Sequence, residues 1–138
     1  MRFRWNIART LSSFVAHAFG IAALNRSNGS VTDLTMPKGV SVARIDGMSL
    51  WDGSLIAIQN GFGSNRIVQL RLAPDGKSIV SGKLLEFRSQ NLELPTTGTV
   101  HQGTFYYMVN TQIDHEDDGR LKNSKELKPL KVAALALP

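Results

Sequence analysis

Past residue 30 the chain repeatedly alternates apolar and polar positions, the spacing of a half-buried β-strand. In NRIVQLRL (65–72), Ile67, Gln69 and Arg71 fall on one face and Val68, Leu70 and Leu72 on the other. IDGMSLWDGSLIAIQNG (45–61) reads as two short strands about a tight turn, the second of them SLIAIQN (54–60). GTFYYMVNT (103–111) carries aromatics that suit a packed sheet face. SGKLLEF (81–87) reads as an edge strand, preceded by the turn Pro74-Asp75-Gly76. There Pro fixes one φ and Gly admits a positive one. KVAALAL (131–137) favours a helix by propensity, but the flanking Pro129 and Pro138 leave too little chain for one, and a strand is expected.

Two stretches repeat. DGSLIAIQN (52–60) lies over QGTFYYMVN (102–110), with Gly53 on Gly103 and Asn60 on Asn110. A weaker echo is SFVAHAFGIAALNRSNGSV (13–31), a strand, a Gly, a second strand, then Asn28-Gly29 as a hairpin turn. A period near fifty with about four short strands per unit is the arithmetic of a β-propeller blade; the other all-β reading is a generic antiparallel sandwich.

The 138 residues suffice for a hydrophobic core, and 42% apolar against 20% charged residues favours folding over disorder. With no cysteine, disulfides, thiolate catalysis and cysteine-zinc sites are excluded. The net charge of +5 lies wholly in residues 1–45, where Arg2, Arg4, Arg9, Arg26, Lys38 and Arg44 face Asp33 alone. An excess confined to one end, with no dense basic helix or aromatic-basic motif, argues against nucleic acid as a partner. Arg2, Arg4 and Arg9 precede the apolar run LSSFVAHAFGIAAL (11–24), which resembles a signal peptide and is too short for a membrane span. The other reading makes residues 13–35 strands of the sheet. The location is left open, with the cytoplasm favoured and export expected if residues 1–23 are a leader.

Asp46 is the first candidate for chemistry. In RIDGM it sits at a strand start, beside a glycine that permits close backbone approach. A carboxylate there can ligate a hard divalent cation or take a proton from water, or simply cap its own turn. Asp114, Glu116, Asp118 and Gly119 approach a calcium loop, but Glu116 and Lys125 stand at the third and twelfth positions, so a solvated acidic loop is expected. His17, His101 and His115 share no ligand spacing, and Ser49 and Ser54 lack a nucleophile elbow. NGFGSN (60–65) has no lysine and no following helix, which leaves a strand connection rather than a phosphate loop.

Over residues 39–88, IDGMSLWDGSLIAIQNG and NRIVQLRLAPDG resemble the C-terminal part of a six-bladed propeller of the regucalcin/gluconolactonase (senescence-marker protein) superfamily. LPTTGTVHQGTFYYMVNTQ fits its last blade, and FVAHAFGIAALNRSNGSV the preceding half-blade, with His17-Ala18 where the family more often has Asp with an aromatic. The resemblance implies an all-β fold, a partial six-bladed propeller of about two and a half blades of antiparallel four-stranded sheets. Its parts are an N-terminal segment (1–12), a partial blade (13–38), a complete blade (39–94) and a last blade lacking its closing strand (95–138).

In that family a divalent cation (calcium, zinc or manganese) is held by an early Glu, one or two mid-chain Asn and an Asp in an Asp-Gly-Met-like strand start. Asp46 alone matches a ligand position, and Asn6 is out of register. The resemblance therefore implies metal-dependent hydrolysis of sugar lactones or related esters, a small-molecule substrate, with Asp46 as metal ligand and possible base. With the ligand set incomplete, weak or absent metal binding and impaired activity are expected. The alternative is a non-catalytic binding or structural propeller segment. Six blades need roughly 300 residues, so a fragment that self-associates through open sheet edges is expected.

Overall fold

In the computed structural model, residues 12–61 and 65–138 are described. Their strands all pair antiparallel, with two short 3-10 turns (Ile113–His115 and Ser124–Glu126) near the C-terminal end, and among them no helix is long and apolar enough to cross a membrane. The order is β1 (Ser12–His17), β2 (Gly20–Asn25), β3 (Val31–Asp33), β4 (Ile45–Trp51), β5 (Ser54–Gln59), β6 (Arg66–Leu72), β7 (Ile79–Phe87), β8 (Gly98–His101), β9 (Thr104–Met108), β10 (Glu116–Asp117), β11 (Arg120–Leu121) and β12 (Val132–Ala136). The strand expected at 131–137 is β12. The edge strand expected at 81–87 is β7, which begins two residues earlier and pairs with β6 alone. The charged residues 1–11 lie outside the described residues; the apolar run after them forms β1 and β2.

Three larger sheets result, β1-β2-β3, β4-β5-β6-β7 and β8-β9-β12 in spatial order, with β10-β11 as a separate two-stranded one, and none is closed. Only the middle sheet has four strands. The tight turn expected within residues 45–61 is Asp52-Gly53, and Gly103, expected as the start of a strand, stands instead in the matching turn. Asp52-Gly53 and Gln102-Gly103 join β4 to β5 and β8 to β9 with both residues at positive φ, a hairpin that matches the twist of its strands. The acidic stretch expected as a plain loop instead forms the exposed β10-β11 hairpin, with Asp118 and Gly119 at positive φ in its turn.

The middle sheet is the structural centre. Every residue of β5 is buried, because a sheet packs on each of its faces. Leu55 and Ala57 face one way and join Val68, Leu70, Leu72 and Ile79 against Ile21 of the first sheet. Ile56, Ile58 and Ile67 face the other way, against Phe105 and Tyr107 of the third. The two faces expected of β6 are thus both real, since Ile67 enters one core while Val68, Leu70 and Leu72 enter the other. Phe105 and Tyr107 stack with ring centroids 5.7 Å apart. The Tyr107 hydroxyl donates to Glu86 Oε2 at 2.6 Å, tying the third sheet to β7.

Candidate functional site

Asp46 lies on a β-bulge. Ile45 pairs with Gln59 and Gly47 with Ile58, so Asp46 is the extra residue, without a partner in β5. A bulge re-aims the side chain it carries. Here the exposed carboxylate turns to Asn60, whose Nδ2 donates to Asp46 Oδ2 at 2.5 Å and also to the Pro95 carbonyl oxygen. Asn60 Oδ1 is buried with no hydrogen-bond partner. One carboxylate, one amide and one backbone carbonyl therefore converge where the second sheet meets the strand leading into the third.

Three devices hold this corner. Gly47 lies against residues 96 and 97: a Cβ there would overlap the Thr96 carbonyl oxygen and come within 2.9 Å of Thr97 Cα. Gln59, fully buried, donates through Nε2 to the carbonyls of Ser41 (3.0 Å) and Ala43 (2.9 Å), and its Oε1 accepts from Arg66 Nε at 2.9 Å. The Asn60 backbone N–H donates to the Arg44 carbonyl at 3.1 Å, and Arg44 Nη1 donates to the Gly61 carbonyl at 2.6 Å. Of the two Asp-Gly pairs, the first thus serves close packing and a re-aimed carboxylate, and the second a hairpin turn.

Asn60 was not singled out for chemistry from the sequence, although its repeat with Asn110 carried the signal. The two asparagines end equivalent strands and behave differently. Asn110 is fully buried and satisfied, Nδ2 donating to the Pro129 carbonyl at 3.0 Å and Oδ1 accepting from the Lys131 N–H at 2.8 Å. Asn60 instead meets a carboxylate and keeps an unmatched oxygen.

The other candidates do not join this corner. His17 Nε2 lies 3.1 Å from Asp33 Oδ1 on the first sheet, and His101 is exposed at the end of β8. Ser49 Oγ donates to the Gly98 carbonyl at 3.2 Å, and Ser54 Oγ, buried, accepts from Gln69 Nε2 at 3.1 Å. His115 and Asp114 line a pocket of about 120 Å³ with Glu93, Asn110, Gln112 and Lys128. Lys128 Nζ there bonds Glu93 Oε1 at 2.7 Å, which holds the Glu93 carboxyl below its ordinary range and raises the Lys128 ammonium. Of the NGFGSN link, residues 62–64 lie outside the described residues. Among the described residues no three His, Asp or Glu side chains gather as a metal cluster. No protein-family model matches the chain, and no match is found among curated proteins.

Proposed function

We propose that the chain is part of a six-bladed β-propeller of the regucalcin/gluconolactonase kind, and that it contributes Asp46 to a divalent-cation site for hydrolysis of a small lactone or ester. The observation behind this reading is the bulge at Asp46, which spends a ladder pairing to aim a carboxylate at Asn60, whose amide also donates to the Pro95 carbonyl. The donors are oxygens, which suits calcium or manganese better than zinc. They fit one side of a coordination sphere: hard cations take six or more oxygens, so this corner alone binds weakly. A bound cation would polarise the substrate carbonyl. Asp46 would hold the cation, and the Asn60 amide would hold Asp46.

A non-catalytic segment is the second reading. It is favoured by the fact that Asn60 Nδ2 already engages the Asp46 carboxylate and, across a packed junction, the Pro95 carbonyl. Calorimetry with calcium, manganese and zinc separates the two, beside a lactone-hydrolysis assay. Weak heat that disappears in Asp46→Ala supports the cation reading. Identical titrations of wild type and Asp46→Ala support the second. Tight one-to-one binding lost in the variant would overturn the view that the ligand set is incomplete.

A further inference from the structure

The three sheets stack by one rule, applied twice. β2 and β3 are joined as β6 and β7 are: the Asn25 N–H donates to the Ser30 carbonyl, and the Ala73 N–H to the Ser78 carbonyl, both at 2.8 Å. Superposing these turns puts Ala22 on Leu70, Leu24 on Leu72 and Val31 on Ile79. Superposing the Asp52-Gly53 and Gln102-Gly103 turns puts Leu55 on Phe105 and Ile56 on Tyr106. In the second sheet the Leu55, Leu70 and Leu72 face packs on the first sheet. In the third sheet the equivalent face, Phe105 and Leu135, packs on the second, against Ile56 and Ile58. Each sheet thus lays its Leu55-type face on the Ile56-type face of the sheet before it.

Both ends of the stack leave one such face open. The first sheet shows its Leu55-type face, with Val15 52% and Val31 65% exposed and Leu24 partly so, while Ala22 is buried and the His17–Asp33 pair, 3.1 Å apart, lies on the same face. The third shows its Ile56-type face, with Tyr106 40% and Val132 65% exposed beside Ala134. From Thr99 and His101 through Tyr106 and Met108 to Val132 and Ala134 this face carries no Asp, Glu, Lys or Arg. β7, an edge strand, carries Lys83 and Glu86, the charges that discourage further pairing; β12 carries none and, among the described residues, pairs along one edge alone.

We infer that the occupant is a second copy of this chain: the third sheet of one copy receives the first sheet of the next, by the relation that already joins sheets one to two and two to three. A chain cannot satisfy its own two faces this way within the stack, because its middle sheet lies between them. The contact is head-to-tail, so it closes into a ring or runs on as a filament according to the rotation it imposes. It rests on the stacking of the sheets and not on the cation reading, so calorimetry and sedimentation can fail separately.

Sedimentation of the full chain over a dilution series tests this, with Val15→Glu for the first face and Ala134→Glu for the third. Both positions are exposed, so the β-sheet circular dichroism of each variant should match wild type. Wild type should self-associate, as a discrete oligomer or a concentration-dependent ladder. Each variant alone should dissociate at about tenfold higher concentration or more. An equimolar mixture should form a heterodimer, since one intact face of each kind remains. If either variant loses its sheet spectrum, Val31→Lys and Val132→Lys replace the pair. Wild type that stays monomeric throughout would overturn the inference, including the case in which residues 1–11 cover a face. So would association abolished by one variant and untouched by the other, which marks a contact between like faces.

Discussion

Gly47 and Asn110 show how much single positions depend on chain far from them. Gly47 is not at positive φ; its requirement is room for the Thr96 carbonyl. Gly47→Ala should therefore cost about 1–3 kcal/mol by overpacking, read from urea unfolding. Asn110→Ala would remove a fully buried amide that bonds both the Lys131 N–H and the Pro129 carbonyl, a loss of about 2 kcal/mol, whereas Asn60→Ala, at a partly exposed corner, should cost clearly less. A smaller loss at Asn110 than at Asn60 would contradict the division of labour between the two repeats. Tyr107 carries a pH dependence. Burial first, then its hydrogen bond to Glu86, raises its pKa above the ordinary 10.0. The folded state thus keeps a proton that the unfolded chain gives up, so stability is intact below pH 10 and falls as pH rises beyond it. Tyr107→Phe should flatten that alkaline slope in melts compared at successive pH values.

Among the elements, β5 and the β10-β11 hairpin stand at opposite extremes. β5 is buried on both faces and paired on both edges, while both strands of the hairpin are exposed. Hydrogen exchange should find β5 amides opening only with global unfolding, and the hairpin exchanging fastest among the strands. Ile58→Ala should cost about 3 kcal/mol, because the third sheet packs directly on it. The strands themselves were legible, since alternation and turn chemistry are written within a few residues. Even KVAALAL, whose propensity favours a helix, forms a strand, because β9 offers a partner edge from Met108 to Thr104. The hairpin at 116–121 was not legible: its strands are two residues long, below any period that can be counted.

For the whole molecule, the open faces make a further expectation. The face on the third sheet carries no Asp, Glu, Lys or Arg and the one on the first carries Asp33 alone, beside His17, so association between copies should persist or strengthen as sulfate salts are added, instead of weakening as a charge-driven contact would. Sedimentation across a salt series reads this directly. By itself the sequence determined the all-β class, the turns at Asp52-Gly53 and Pro74-Asp75-Gly76, the two faces of β6 and the repeat linking Asn60 to Asn110. These are local properties: side-chain alternation and the φ demands of a turn act between neighbours, wherever the chain then goes. Tertiary structure alone decided that Asp46 stands on a bulge, that Asn60 reaches both Asp46 and Pro95, and that Gly47 makes room for Thr96. It also decided which face of each outer sheet is buried. The reason is distance along the chain, since the residues that meet at this corner come from three separate segments, brought together only when the sheets pack.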